Sequence, residues 1–483
     1  MTRLLPFTNK IGPRQFSRIC LLLSALWLII IYPGINWLYP NKLPREMKPG
    51  SHCDFFQYYA GALVVRHGIW DSLYPIPKPD VYGRPNHFIP KYQTFLFNPS
   101  SAMRDPAFYP ALNLPEASDC APELVTYLPE IKDNYWRYIY PPPTALFFWP
   151  LSLVSFDCAA NLLWPTFCIW SLFALSYFAS RIHRYFHQTD SYTEGLIILA
   201  CVMFSYRGRT HIPDGNLTPI ISALIAFSSY ALMRGRLFAF SCGYIPLLLF
   251  KTIGLTWLPL LLIDRAYWRA LIYLAIITLL LNGIVVELAG VGIYEQFLSL
   301  APKISVPAGV GIVPSLLHLF GFYPHTLYLI INAAFLVFFY YGYWSNSIRS
   351  LSKNPVNDSP LALVALLAGT MALYCLTNFS VWLPYCPLYL FFPFLGWILQ
   401  EGYLSSGYWR HFILGGTVFA FLVLASEWII KGSLFYLLGA RSVDWYHNVV
   451  FQPCCILFIP TFFLLIALRR LLFNVQNQNR VVK

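Results

Sequence analysis

Residues 140–157 read YPPPTALFFWPLSLVSFD, and whether this stretch crosses a membrane decides the arrangement of everything after it. It is apolar enough to enter a bilayer. Yet Pro141, Pro142 and Pro143 open it and Pro150 interrupts it, and a proline inside a helix removes a backbone donor and kinks or breaks the run. A crossing here would move every later loop to the other side. The cations decide between the two arrangements, because short cytoplasmic loops are enriched in Lys and Arg. With the stretch lying in the outer interface, 17 of the 33 cationic residues fall inside, 6 in short outer loops and 10 in one long outer segment. With a crossing, the bias reverses. The sequence therefore predicts a helix lying in the outer interface and both termini in the cytoplasm.

Outward from that stretch, the composition sets the class. The chain has 483 residues, 57% apolar and only 11% charged, where a soluble globule carries roughly 25% charge. Disorder needs the opposite balance. The formal charge of +12 sits in short clusters between apolar runs, which indicates membrane orientation and excludes nucleic acid as the partner. Apolar runs fall at about 19–38, 159–180, 194–206, 217–233, 237–250, 252–263, 270–286, 326–344, 360–377, 384–399, 412–430 and 448–468. At about 20 residues per span, several are too short to cross upright. The expected fold is an all-α polytopic membrane protein of about 12 transmembrane or membrane-embedded helices. It forms one integral membrane domain over 1–483: an extracytoplasmic loop with juxtamembrane helices (39–158) and a helix bundle (159–483). The first run lacks a small-residue cleavage site and reads as a retained anchor.

Within the long loop, residues 75–135 show no sustained period and read as an irregular cap. Before them, Ser51-His52-Cys53-Asp54 offers helix-capping chemistry ahead of FFQYYAGALVVRHG, which reads as an amphipathic juxtamembrane helix ended by Gly68. Of 11 cysteines, most lie in apolar runs and pack as small hydrophobes. A Cys53 to Cys120 bridge is conceivable, but spacing alone does not establish it.

The residues able to carry chemistry lie on the outer side. Asp54 opens the juxtamembrane helix, with Tyr58 and Gly61 on its face; Gly61 would leave space above it, so Asp54 is either a proton acceptor beside a cavity or a helix cap. Arg207, Arg209 and His211 crowd the turn before Gly215-Asn216. Lys251 stands at the apex of a helical hairpin, lifted about 20 Å from its inner feet. These cations suit a phosphate head group, or else snorkel and cap helix ends. His318 serves chemistry or a structural hydrogen bond. Aromatics around Tyr58, Tyr59 and Tyr140 would stack on sugar or anchor the interface. No metal-ligand spacing, P-loop or nucleotide fingerprint is present, so the sequence demands neither metal nor cofactor.

Taken together, Asp54-Phe55-Phe56-Gln57-Tyr58-Tyr59-Ala60-Gly61, Leu73-Tyr74-Pro75, Tyr140-Pro141-Pro142, Pro150-Leu151, Gly215-Asn216, Arg234-Gly235-Arg236 and Lys251 resemble glycosyltransferase family 87, of the GT-C superfamily. Order and spacing match from about residue 50 to 270. The resemblance implies inverting transfer of a sugar, often mannose, from a polyprenyl-phosphate donor to a glycan or glycolipid hydroxyl outside the cytoplasm. It implies Asp54 as general base and Lys251 on the donor phosphate; from the residues themselves, Arg207 or Arg209 would join Lys251 there and Asn216 would lie beside the substrate. The implied setting is a bacterial inner membrane, with membrane lipids as further partners. Two departures stand out. Asn216 replaces a common glutamine, and Ser380-Val381-Trp382-Leu383-Pro384-Tyr385 lacks the histidine pair that follows the tryptophan in many members, leaving His211 or His318 as substitutes. A non-catalytic carrier of lipid-linked sugar and an inactive scaffold are the rival readings.

Overall fold

A computed structural model of the chain describes residues 12–26, 53–74, 122–127, 138, 140–187, 193–204, 215–250, 252–304, 333–345, 358–377, 387–438 and 454–473. Every regular element among them is helical. The helices are α1 (Pro13–Leu26), α2 (Cys53–His67), α3 (Pro122–Tyr127), α4 (Thr144–Phe148), α5 (Phe156–His187), α6 (Thr193–Phe204), α7 (Thr218–Met233) and α8 (Leu237–Phe250). There follow α9 (Leu258–Ile263), α10 (Trp268–Ala289), α11 (Gly292–Ile304), α12 (333–345), α13 (Asp358–Thr377), α14 (Phe392–Leu404), α15 (Gly407–Leu438) and α16 (Ile459–Leu468).

The apolar runs with described residues coincide with helices, and three helical stretches are long and apolar enough to cross a bilayer: Phe156–His187, Arg265–Ala289 and Gly407–Leu424. The 32 residues of α5 extend about 48 Å, more than the roughly 30 Å hydrocarbon core. Much of α10 faces outward, with Leu279 72% and Leu280 62% exposed. So large an apolar face is untenable in water but natural against lipid. These features define a membrane protein.

The stretch at 140–157 breaks into a turn, the five-residue α4 and a five-residue 3-10 turn at Trp149–Leu153 containing Pro150. Neither piece has the length to span. Phe147, Trp149 and Leu153 are exposed on it, as expected of a segment lying along an interface. Two elements differ from the sequence reading. The cap region contains the short helix α3, and α11, between the expected spans, is an additional 13-residue helix. Its Ile293 is buried while Leu298, like Val291 just before the helix, is exposed.

Prolines shape the helix beginnings. In α5 the residues Ala159–Leu163 form a π turn just before Pro165; Pro387–Phe391 do so before Pro393, and Cys454–Phe458 before Pro460. A proline cannot donate to the carbonyl one turn back and its ring clashes there, so the ladder widens by one residue ahead of it.

α5 is the axis of the bundle, packed against α6, α7 and α14, with α8 on the far side of α7. One end of α5 carries Trp164, which contacts α2. The other carries His183, 19 residues and about 28 Å further on. At the second end Arg181 donates to Tyr230 Oη from Nη2 at 2.9 Å, Arg234 lies over the Tyr185 ring, and Arg469 donates to Ser405 Oγ at 2.7 Å while stacking on Trp409. Phe16 of α1 reaches Tyr177 near the same end. The described helices thus have an aromatic end and an arginine end.

A buried ion pair ties the last helical run to the bundle at the arginine end: Arg470 Nε lies 3.5 Å from Glu401 Oε1, with side chains 6% and 0% exposed. Removing one partner strands the other charge, which costs about 3–5 kcal/mol at such sites. Glu401→Ala is expected to lower the unfolding midpoint of the detergent-solubilised protein sharply. The paired apolar replacement Glu401→Leu with Arg470→Met should recover most of the loss.

Candidate active site

The aromatic end is built around α2. From Phe55 to Val64 every residue of this helix is buried, so it is enclosed on all sides and not amphipathic as the sequence implied. The enclosure has identifiable causes. Phe56 stacks on Phe156 at 4.6 Å between centroids, and Tyr58 stacks on Phe148 at 4.6 Å and tilts against Trp164 at 5.2 Å. Tyr59 donates from its hydroxyl to the Val154 carbonyl at 2.7 Å, and Arg66 donates to the Ser152 carbonyl. The interfacial segment therefore wraps the helix instead of lying apart from it. Gly68, with φ +68°, ends α2 as expected.

Gly61 does not leave a cavity. A Cβ placed there would stand 2.7 Å from Cε2 of Tyr138, so the glycine admits a tyrosine ring. Tyr138 packs edge-on against both Tyr74 and Tyr140. The Tyr58 and Tyr140 hydroxyls lie 3.2 Å apart, and the Tyr74 hydroxyl donates to the Tyr140 carbonyl. Burial, with Tyr74 and Tyr140 beside it, raises the Tyr138 phenol well above its ordinary pKa. The cluster is neutral and rigid. Phe297 of α11 closes it from the other side through Tyr74, which gives this additional helix a place at the site.

Gly215-Asn216 meets the same helix. Gly215 adopts φ +74°, and a Cβ on it would fall 2.4 Å from Cβ and 2.8 Å from the backbone nitrogen of Phe55. Only a glycine permits this backbone conformation and this approach together. The turn is thereby seated on the residue that follows Asp54. Asn216 then opens α7 as an Asx turn: its Oδ1 accepts from the Thr218 backbone N–H at 2.9 Å and from the Thr218 hydroxyl at 2.6 Å.

A third segment arrives with the apex of the α8 hairpin. Phe250, the last residue of α8, stacks on Phe148 at 5.6 Å, and Phe148 stacks on Tyr58. Beyond the apex, the Tyr244 hydroxyl donates to the Gly254 carbonyl, Tyr340 to the Thr256 carbonyl at 2.7 Å and Trp257 Nε1 to the Leu367 carbonyl at 3.3 Å. Both flanks of Lys251 are therefore fixed.

Tyr58, Tyr59, Tyr140 and Asn216 are thus brought together around α2. Asp54 stands in the first turn of that helix; its side chain, and Arg207, Arg209, His211, Lys251 and His318, lie outside the described residues, as does a Cys53 to Cys120 pairing. The close pair His183 and His187, with rings 4.1 Å apart, is at the arginine end. Sequence reasoning passed over Tyr138, Trp164 and Tyr389. The signal for Tyr138 was available in Gly61, read as a vacancy when it marks a close approach.

An all-helical membrane protein with one aromatic, glycine-stitched end is what the fold defines. Residues 138–377 match glycosyltransferase family 87, a match that implies a glycosyltransferase. No curated protein and no solved structure matches it. The matched region takes in Tyr140, Gly215, Asn216 and Lys251; α2 precedes it.

Gly61→Val should jam the Tyr138 ring, which is held on both faces of the cluster, and destabilise the protein by about 1–3 kcal/mol, the usual cost of overpacking. Combining it with Tyr138→Ala should relieve part of that loss. Equal unfolding midpoints for Gly61→Val and wild type would show that the ring is not confined.

Proposed function

We propose that the protein transfers a sugar, mannose or another hexose, from a polyprenyl-phosphate donor to a glycan or glycolipid hydroxyl on the extracytoplasmic side, with inversion. The observation that carries the reading is the seating of Gly215 on Phe55, because it brings a turn inside the family-matched region against the helix turn that bears Asp54. The arginine end faces the cytoplasm in this reading, both termini lie there, and the membrane is a bacterial inner membrane.

The polyprenyl tail lies along apolar helices, with its phosphate at Lys251 and with Arg207 or Arg209 beside it. The acceptor oxygen attacks the anomeric carbon from the face opposite the phosphate. As the new carbon–oxygen bond forms, the bond to the phosphate oxygen breaks, Asp54 takes the acceptor proton, and polyprenyl phosphate departs with the electron pair. Fixed cations stabilise that developing charge. Tyr58, Tyr59 and Tyr140 shape the wall on which the sugar is held, and His211 or His318 takes the part of the histidines missing after Trp382.

The test is turnover in nanodiscs with a synthetic polyprenyl-phosphate mannose and lipid-linked glycan acceptors. Asp54→Asn should insert and unfold like wild type while losing about 10²–10⁴-fold in rate, the usual contribution of a general base. Lys251→Ala should raise the donor KM. Near wild-type turnover by Asp54→Asn would remove the base assignment.

A further inference from the structure

The hydrogen bonds around Thr218 have a forced direction. Asn216 Oδ1 only accepts, so the Thr218 hydroxyl spends its one proton on it, at 2.6 Å. The remaining capacity of Thr218 Oγ1 is as an acceptor. Its neighbour, the Tyr389 hydroxyl at 3.3 Å, can bond to it only as the donor. A directed chain runs from Tyr389 to Thr218 to Asn216, and all three residues are buried.

This chain connects two distant parts of the molecule. Tyr389 sits in the π turn Pro387–Phe391 that leads into α14, shortly after the segment in which the family's histidine pair is missing. Asn216 belongs to the turn whose glycine abuts Phe55, one residue past Asp54. A π turn presents its side chains one residue out of α-helical register, and here it turns a tyrosine hydroxyl toward α7.

We propose that Tyr389 is a positioning residue for sugar transfer. Its hydroxyl holds Thr218 and Asn216 so that Gly215 seats the first turn of α2, which fixes where Asp54 points. The proposal rests on Asp54 being the base. Tyr389 does not touch substrate; it acts through the turn. Misplacement of a reacting group by about 1 Å is enough to cost up to 10²-fold, so the loss of one hydroxyl in this chain is expected to appear in kcat.

The experiment uses the full chain in nanodiscs with synthetic polyprenyl-phosphate mannose. Tyr389→Phe, which removes only the hydroxyl, is expected to lower kcat about tenfold with donor and acceptor KM within about twofold and an unchanged unfolding midpoint. Thr218→Val should fall equally, Thr218→Ser should keep wild-type turnover, and the double variant Tyr389→Phe with Thr218→Val should be no slower than either single one. In an Asp54→Asn background, Tyr389→Phe should change the residual rate no further. Wild-type kcat for Tyr389→Phe, additive losses in the double variant, or a loss that follows a lowered unfolding midpoint would each overturn the proposal. The two ideas fail separately. An active Asp54→Asn removes the base whatever Tyr389→Phe does, whereas an inactive Asp54→Asn beside a wild-type Tyr389→Phe leaves the base and removes the positioning role.

Discussion

The close approach of Gly215 to Phe55 is the constraint on which the aromatic end depends. With φ at +74° and a Cβ position already occupied by the backbone of α2, residue 215 cannot carry a side chain without moving one helix or the other. That single contact joins a helix from the long first loop to the start of α7 in the bundle. Gly61 makes a second approach of the same kind, admitting the Tyr138 ring. Two glycines thus hold α2 from two directions, and the rest of its surface is covered by aromatic rings. Dense packing of this sort leaves few alternative arrangements, which is what a helix carrying a reacting carboxylate would require.

The two ends of the bundle use opposite chemistry. At the arginine end four cations are matched to partners: Arg181 to Tyr230, Arg234 to the Tyr185 ring, Arg469 to Ser405 and Trp409, Arg470 to Glu401. At the aromatic end the buried core is formed of neutral phenols and hydrocarbon. A charge brought to such a neutral, water-poor surface interacts more strongly than the same charge among arginines.

Much of this was legible in the sequence, for reasons that differ between elements. Apolar runs such as 237–250 returned as helices with the same bounds because a long run of greasy residues has one solution in a bilayer. The break of 140–157 into pieces too short to span followed from its prolines, a local signal. The α11 helix escaped because its polar and apolar residues alternate around the axis and never form a run. Enclosure of α2 also escaped, since burial depends on Phe148, Phe156 and Trp164 arriving from 90 to 106 residues further along the chain. Gly61 and Gly215 were noticed, but a glycine in a sequence does not say whether it leaves space or lets something in. Only the neighbour decides, and Tyr138 and Phe55 are the neighbours.

The prolines add a last step. Pro165, Pro219, Pro259, Pro393 and Pro460 each stand in the first turns of a helix that begins at the aromatic end under the alternation of the loops, three of them behind a π turn. Irregular backbone in a membrane protein is tolerated where protein covers it or where it lines a cavity, and here Pro387–Phe391 packs against α7, α13 and α16 and Cys454–Phe458 against α13 and α15. Tyr389 owes its orientation to such a turn: one residue more in the ladder carries its hydroxyl to Thr218, and a regular α-helix over 387–391 would have aimed it elsewhere.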